Sequence, residues 1–240
     1  MPPNVQTAES SGIVTLALTR PDRLNAVNAA LVGELVAALD GVDARARAVV
    51  LVGEGRAFCS GHDLKEDLSD ETAVSAERRL EQLQDVTRRI RALDVPVVAA
   101  VHGYAIGAGA ELALCCDLIL AATGTTFRFP EVSLGLSVTN AATRLLPALI
   151  GPVRAKQLVL LGDAFDAETA HRMGLINEVV PPADLRPTAM EWAARLANQP
   201  TRSLTLAKRA LNEGTDGTVA SALRLEIDQA LATTGSEETA

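Results

Sequence analysis

The stretch VVAAVHGYAIGAGAELALCCD, residues 97–117, decides the fold. Its first five residues are small or β-branched and apolar, which is typical of a strand buried on both faces of a parallel sheet. The small residues Gly107-Ala108-Gly109-Ala110 follow, and a short helix is predicted from about residue 109. A strand that passes through a glycine loop into a helix indicates an α/β unit. Ligands bind at the carboxyl ends of strands in such sheets, so this loop is the first candidate for a site.

Comparable units lie on both sides of this stretch. Strands are predicted over 12–19, 48–52 and 118–122, with a strand-like piece at 175–180. Helices are predicted after an N-cap at Asn28 and over 72–93, 152–161, 166–172, 184–197, 201–213 and 218–232. The alternation of strands and helices predicts parallel pairing with right-handed crossovers, followed by a helical C-terminal region.

Composition narrows the range of functions. The 240 residues are 48% hydrophobic but only 2% aromatic, so the core must consist of Ala, Val, Leu and Ile. Few aromatic rings are available to stack on nucleic-acid bases. The formal net charge of −8 also disfavours a general polyanion partner, although it is compatible with a local pocket for one phosphate group. No nucleic-acid partner is expected.

Cysteine usage and hydropathy bear on the compartment. The three cysteines, Cys59, Cys115 and Cys116, form neither a disulfide framework nor a C-x-x-C pair, which favours a reducing environment. The N-terminal residues are polar and lack the apolar segment of a secretory signal. The longest apolar run, near residues 95–101, is too short to span a bilayer. A cytoplasmic protein without a membrane partner is therefore expected.

A second small-residue segment, RAFCSGHDLKE at 56–66, also follows a predicted strand. Backbone amides in two such loops at one sheet edge can stabilise a developing oxyanion. Each candidate side chain also has an ordinary interpretation. Glu111 can be a capping residue, Glu131 a surface carboxylate, and Cys59 a small core residue, while His62 and Asp63 can be turn residues or N-caps.

Several other site types are absent from the sequence. Its glycines do not fall in the G-x-G-x-x-G order of a dinucleotide site, and no G-x-S-x-G nucleophile motif occurs. No His, Cys and carboxylate cluster has metal-ligand spacing, so no metal is expected.

Five motifs in order resemble the crotonase family, also called the enoyl-CoA hydratase/isomerase superfamily. They are TRPDRLNAVN, GRAFCSGHDLKE, HGYAIGAGAELALCCDLILA, FRFPEVSLGL and ALIGPVRAKQLVLLGDAFDAETAHRMGLINEVV, and the resemblance spans roughly residues 10–232. It implies an α/β fold with a crotonase-type ββα spiral core over 1–185. It also implies a helical C-terminal trimerisation region over 186–240, and hence a homotrimer or homohexamer.

The resemblance also implies the site. The backbone N–H groups of His62 and Ala108 would form an oxyanion hole for a thioester carbonyl. Glu111 and Glu131 match the two catalytic glutamates of family hydratases. Coenzyme A would bind near a strip of residues that comprises Arg23, Ala26, His62, Asp63, Leu64, Lys65 and Ala108.

The implied activity is hydration of an α,β-unsaturated acyl-CoA to a 3-hydroxyacyl-CoA, as in fatty acid metabolism, with no cofactor because coenzyme A enters with the substrate. Two alternatives stay open: an acyl-CoA double-bond isomerase of the same fold, and a catalytically weak acyl-CoA-binding subunit. Two departures from the family support the binding-subunit alternative. Residues 136–147 lack the glycines common there, which bears on the acyl pocket, and no basic C-terminal tail is visible. Acyl chain length, pathway and physiological substrate are not indicated by the sequence.

Overall fold

The structure, a computed structural model, describes residues 2–66 and 69–233. In this part of the chain a larger sheet has six strands, in the spatial order β1 (Val5–Ser10), β2 (Ile13–Leu18), β3 (Ala48–Gly53), β4 (Val97–Val101), β6 (Leu118–Ala122) and β9 (Glu178–Val180). A smaller sheet orders β5 (Tyr104–Ile106), β7 (Thr126–Arg128) and β8 (Phe165–Asp166). From β2 to β9 every pair in the larger sheet is parallel, whereas β1 pairs antiparallel with β2.

Helices connect and flank the strands. They are α1 (Ala29–Asp40), α2 (Ala73–Ala92), α3 (Ala108–Leu114), α4 (Ala142–Ile150), α5 (Pro152–Leu161), α6 (Ala167–Met173), α7 (Leu185–Ala197), α8 (Thr201–Asp216) and α9 (Val219–Thr233). Short 3-10 turns occur at Pro21–Arg23 and Glu131–Leu134. The predicted N-cap is confirmed, because the Asn28 side chain accepts a hydrogen bond from the Leu31 N–H.

The strands β2, β3, β4 and β6 of the larger sheet are buried on both faces, which explains their apolar sequences. Along β3, Val49 and Leu51 join the core formed with α1, α2 and α3, while Val50 and Val52 point the other way. The second face packs against α7 through its buried residues Leu185, Ala189 and Ala193. The α/β architecture predicted from the sequence is thereby confirmed. The predicted division into a core at 1–185 and a C-terminal region at 186–240 stays a prediction.

The elements missed by sequence reasoning are short or lack an apolar run. β1 was missed because five of its six residues are exposed and only Val5 is buried. β5 and β7 have three residues each, too few for a periodic pattern. α4 contains Pro147 in its interior, and its N-cap residue Ala141 is not a usual capping residue, so the sequence showed neither a continuous helical pattern nor a helix start. The strand-like piece at 175–180 is a strand only over Glu178–Val180.

The last two helices extend beyond the sheet core. α9 has no buried residue, and its apolar side chains Val219, Leu223, Ile227 and Leu231 are all exposed. In residues 2–66 and 69–233, no helix combines the length and apolar character needed to cross a membrane.

A buried lysine attaches α8 to the core. The Lys208 side chain is 4% exposed, and its Nζ lies 2.8 Å from Oδ2 of Asp117. The same ammonium donates to the carbonyl oxygens of Ile90 and Val95, at 2.8 and 2.9 Å. An ammonium has three donors, and all three are therefore used. Removing it would take this donor from both carbonyls and leave Asp117 with the hydrogen bond from the Val97 N–H but without its counter-charge.

We expect Lys208→Met to lower the free energy of unfolding by about 2 kcal/mol, because the hydrogen bonds of a buried ammonium to two carbonyls and to Asp117 are lost. Urea denaturation measures the change. Arg209→Met is the matched control on the same helix: its ion pair with Asp94 is about half exposed on both sides, so the unfolding midpoint should stay close to that of the wild type. Equal midpoints for the two variants would contradict the role given to Lys208.

Candidate active site

Backbone pairing joins the two loops that the sequence singled out. After β3, the Phe58 and Cys59 N–H groups donate to the His102 and Tyr104 carbonyls, at 2.8 and 3.0 Å. In return the Ile106 N–H donates to the Cys59 carbonyl at 3.1 Å. The loop after β3 and the loop after β4 are therefore held side by side at the carboxyl edge of the sheet, as expected for parallel strands.

Two glycines allow these loops to approach each other closely near residues 61 and 109. A Cβ on Gly109, in the first turn of α3, would lie 2.1 Å from the Cys59 carbonyl oxygen. A Cβ on Gly61 would lie 2.7 Å from the Ile106 carbonyl oxygen, and Gly61 has φ +93°, which other residues rarely adopt. The same Cβ on Gly61 would lie 3.8 Å from the backbone nitrogen of Ala108. The turn that carries His62 thus lies against the N-terminus of α3.

The backbone N–H groups of His62 and Ala108 are free donors within the described residues. Ala108 begins α3, where the first N–H groups have no partner inside the helix. Around His62, the hydrogen bonds to Val27 use the Gly61 carbonyl and the Asp63 N–H, so they leave the His62 N–H unused. Two unused N–H groups on adjacent, rigid loops provide what an oxyanion hole requires.

Glu111 is buried and held as a hydrogen-bond acceptor. It lies on α3 and is 1% exposed. Its Oε1 accepts from the Thr139 N–H at 2.8 Å, and its Oε2 accepts from the Thr139 hydroxyl at 2.5 Å and the Asn140 amide at 3.3 Å. The three donors fix the orientation of the carboxylate, and one lone-pair site on Oε1 has no donor among the described residues.

Glu131 has the opposite environment. It is 4% exposed, and its Oε2 has no hydrogen-bond partner among the described residues. Burial raises the pKa of this carboxyl to about 7, with a further contribution from the charge of Glu111 and a partial offset from its own backbone N–H. A Cβ on Gly107 would lie 2.7 Å from Glu131 Oε1, so the carboxyl group lies beside the glycine loop. A substantial fraction of Glu131 is therefore protonated at neutral pH.

The predicted coenzyme A strip lies on one side of these loops. The Val27 N–H donates to the Gly61 carbonyl, and the Asp63 N–H donates to the Val27 carbonyl, so the segments at 20–27 and 60–66 run together. Arg20 forms an ion pair with Asp63 at 2.8 Å and donates to the Ala26 carbonyl. Among the remaining predicted contacts, Leu64 is 77% exposed, and Arg23 and Lys65 are also exposed.

A family model described as enoyl-CoA hydratase/isomerase matches residues 8–239. The chain belongs to this family. A 1,2-epoxyphenylacetyl-CoA isomerase of Escherichia coli is 40% identical over 225 residues, which cover 90% of this chain and 85% of that protein. A crotonyl-CoA hydratase of Syntrophomonas wolfei is 35% identical, covering 94% of this chain and 87% of that protein. The crystal structure of an enoyl-CoA hydratase from Bacillus anthracis has a TM-score of 0.91 at 30% identity, covering 96% and 90% of the two chains.

In this member of the enoyl-CoA hydratase/isomerase family, the environments of the Cys59 and His62 side chains favour their neutral forms. Burial raises the pKa of the Cys59 thiol to about 12, so it is no nucleophile at neutral pH. Burial also lowers the pKa of the His62 imidazole below its ordinary value, which favours the neutral ring. Among the described residues, no group of three or more His, Cys, Asp and Glu side chains could hold a metal ion.

Sequence reasoning missed the residues that hold Glu111. Thr139 and Asn140 lie in the glycine-free stretch 136–147, which sequence reasoning treated only as a departure affecting the acyl pocket. A Thr-Asn pair at this place in the chain was the available signal, since both side chains carry donors that a glycine lacks.

A cavity of about 850 Å³ lies elsewhere, between α2 and α8. Its lining includes Arg88, Arg91 and Asp216, and neither Glu111 nor Glu131 borders it. Because Arg91 and Asp216 form an ion pair at 2.6 Å, the lining is charged and poorly suited to an acyl chain. The candidate site is therefore defined by Glu111, Glu131 and the unused N–H groups of His62 and Ala108, and not by this cavity.

Proposed function

We propose that this protein adds water across the double bond of an α,β-unsaturated acyl-CoA to form a 3-hydroxyacyl-CoA. The observation that carries the proposal is the contrast between two buried glutamates. Glu111 accepts three hydrogen bonds, whereas Oε2 of Glu131 has no partner in residues 2–66 and 69–233 and burial raises the pKa of Glu131 to about 7. Water addition needs a base for the water and an acid for the α-carbon, and two carboxyl groups in different environments can divide these tasks.

The thioester oxygen binds first, between the N–H groups of His62 and Ala108. Attack of water on Cβ moves negative charge onto this oxygen, and the two fixed donors stabilise the resulting enolate without reorganising. Losing one such donor typically costs a factor of roughly 10²–10³ in rate.

The protons then move through the glutamates. Glu111 accepts one proton from the attacking water, whose hydroxyl group bonds to Cβ. Glu131 donates its proton to Cα, and the enolate electrons form the new C–H bond. The products are a 3-hydroxyacyl-CoA, a protonated Glu111 and an ionised Glu131, and proton exchange with water restores both groups. Every atom of the added water is thereby accounted for, and the step uses neither a metal nor a redox cofactor.

Coenzyme A enters as part of the substrate, and we propose that it binds along Arg23, Ala26 and residues 62–65. The hydrogen bonds between the Val27 and Gly61–Asp63 backbones support this proposal, because they hold both segments of the strip at one edge. The exposed Arg23 and Lys65 side chains are available to anionic phosphate groups. Most of the binding energy would come from this remote part of the substrate, away from the reacting carbons.

A double-bond isomerase is the second candidate, and the family description, which names isomerases beside hydratases, favours it. An isomerase needs one group that moves a proton between two carbons, a task that Glu131 alone could perform. The weak binding subunit loses part of its support, because the stretch 136–147 supplies donors to Glu111. All three candidate functions involve an acyl-CoA substrate. We also propose that the protein acts in the cytoplasm, because its cysteine usage favours a reducing environment.

We expect Glu111→Gln and Glu131→Gln each to reduce the hydration of crotonyl-CoA by at least 10³-fold, because each change removes a proton-transfer group. The double variant should be little worse than either single one, since the groups act as a unit. Binding of the CoA thioester should change little. Loss of absorbance of the conjugated thioester measures the rate, and calorimetry measures the binding.

The same variants separate the alternatives. If Glu111→Gln hydrates normally while Glu131→Gln loses all turnover, the hydratase proposal is wrong and a single-base isomerase is favoured. If both variants match the wild type, the two residues are a structural cap and a buried acid without a catalytic role. Thioester binding by a wild-type protein that shows no turnover would instead favour the binding subunit.

We further propose that the protein assembles as a homotrimer or a pair of trimers through its C-terminal helices. The exposed apolar side chains of α8 and α9, such as Leu211 and Ile227 at 73% and 62% exposure, support it. Light scattering at micromolar concentration should report three or six copies, and Ile227→Asp should lower that number, because a charge would be placed in the apolar contact. A fully active wild-type monomer would contradict the proposal.

A further inference from the structure

Thr139 binds both oxygens of one catalytic candidate. Its backbone N–H donates to Glu111 Oε1 at 2.8 Å, and its side-chain hydroxyl donates to Oε2 at 2.5 Å. One residue thus supplies two donors, one to each carboxylate oxygen. Two such bonds fix the rotation of the carboxylate plane, which a single bond would leave free.

The Asn140 side chain donates a further hydrogen bond to the same carboxylate. It is fully buried, and its Nδ2 lies 3.3 Å from Glu111 Oε2. Its Oδ1 accepts from the Thr87 hydroxyl of α2 at 3.0 Å, so the amide is oriented with its NH₂ group toward Glu111. The backbone of Asn140 is left-handed, with φ +50°, a conformation that asparagine tolerates better than most residues.

These contacts leave Glu111 one acceptor position. A carboxylate has about four lone-pair sites, two on each oxygen. The Thr139 hydroxyl and the Asn140 amide fill both sites on Oε2, and the Thr139 N–H fills one on Oε1. The remaining site, on Oε1, is the place where a water O–H can donate. The hydrogen bonds therefore determine which oxygen receives the proton.

We propose that Thr139 is a positioning residue for the reaction, with Asn140 and Thr87 completing the chain of hydrogen bonds that aims Oε1 of Glu111 at the attacking water. This inference rests on the proposed function, in which Glu111 takes the water proton. The Thr139 side chain itself touches no reacting atom. Its hydroxyl acts only by holding the carboxylate, so its loss should affect the chemical step more than substrate binding.

The test compares three variants of the full-length protein in the hydration of crotonyl-CoA. Thr139→Val keeps the shape and the backbone N–H but removes the hydroxyl, and we expect kcat to fall roughly 10- to 100-fold with KM changed less than about 2-fold, as for a misaligned reacting group. Thr139→Ser restores the hydroxyl and should recover most of kcat. Thr143→Val removes an exposed hydroxyl on α4 and should match the wild type. Thermal melting should show similar Tm values for all of them.

The outcomes separate this inference from the proposed function. If the wild type is active and Thr139→Val equals it, or if Val and Ser variants lose kcat equally, the hydroxyl has no positioning role and the inference is overturned. If the wild type has no hydratase activity, the proposed function fails. Crystal structures of the wild type and Thr139→Val then test its structural premise separately: a rotated Glu111 carboxylate in the variant supports the premise that the hydroxyl positions this group, and an unchanged one overturns the inference.

Discussion

The site depends on how closely two backbone segments approach each other. The loop after β3 and the loop after β4 exchange backbone hydrogen bonds from Phe58 to Ile106, and Gly61 and Gly109 leave no room for side chains between them. Because both loops leave the carboxyl edge of one parallel sheet, the pairing brings the turn at His62 against the N-terminus of α3 at Ala108. In the proposed mechanism, two donors held at this place stabilise developing charge without the cost of reorganisation that water would incur.

The same frame gives two nearby glutamates different environments. Glu111 lies on α3 directly behind the glycine loop and faces donors from residues 139 and 140. Glu131 follows Pro130 in a 3-10 turn, with one carboxyl oxygen beside Gly107 and the other without a hydrogen bond from the part of the chain that the structure describes. Burial without donors raises the pKa of Glu131 to about 7. The donors around Glu111 instead fix the orientation of its carboxylate, so the two carboxyl groups differ in their hydrogen bonding.

Sequence reasoning succeeded where local chemistry carried the information. The apolar strands 48–52, 97–101 and 118–122 and the Asn28 cap follow from burial on two faces and from an unpaired helix terminus, which the sequence displays directly. It failed where the information is three-dimensional. β1 depends on pairing with β2 rather than on its own burial, and the Thr139–Glu111 contact joins residues 28 apart across a turn with left-handed backbone at Asn140 and Ala141. No spacing rule predicts such a contact from one sequence.

The most direct measurement is a carbon-13 NMR titration of the Glu131 carboxyl group, assigned by comparison with Glu131→Gln. We expect a midpoint near pH 7, because burial disfavours the charged form, and a lower midpoint in Glu111→Gln, because a neighbouring negative charge is removed. Since the proton is lost as the pH rises through this midpoint, the capacity to protonate Cα should decline above about pH 7. A midpoint near the ordinary value of 4.5 would mean that Glu131 is ionised at neutral pH, and would contradict its role as the acid.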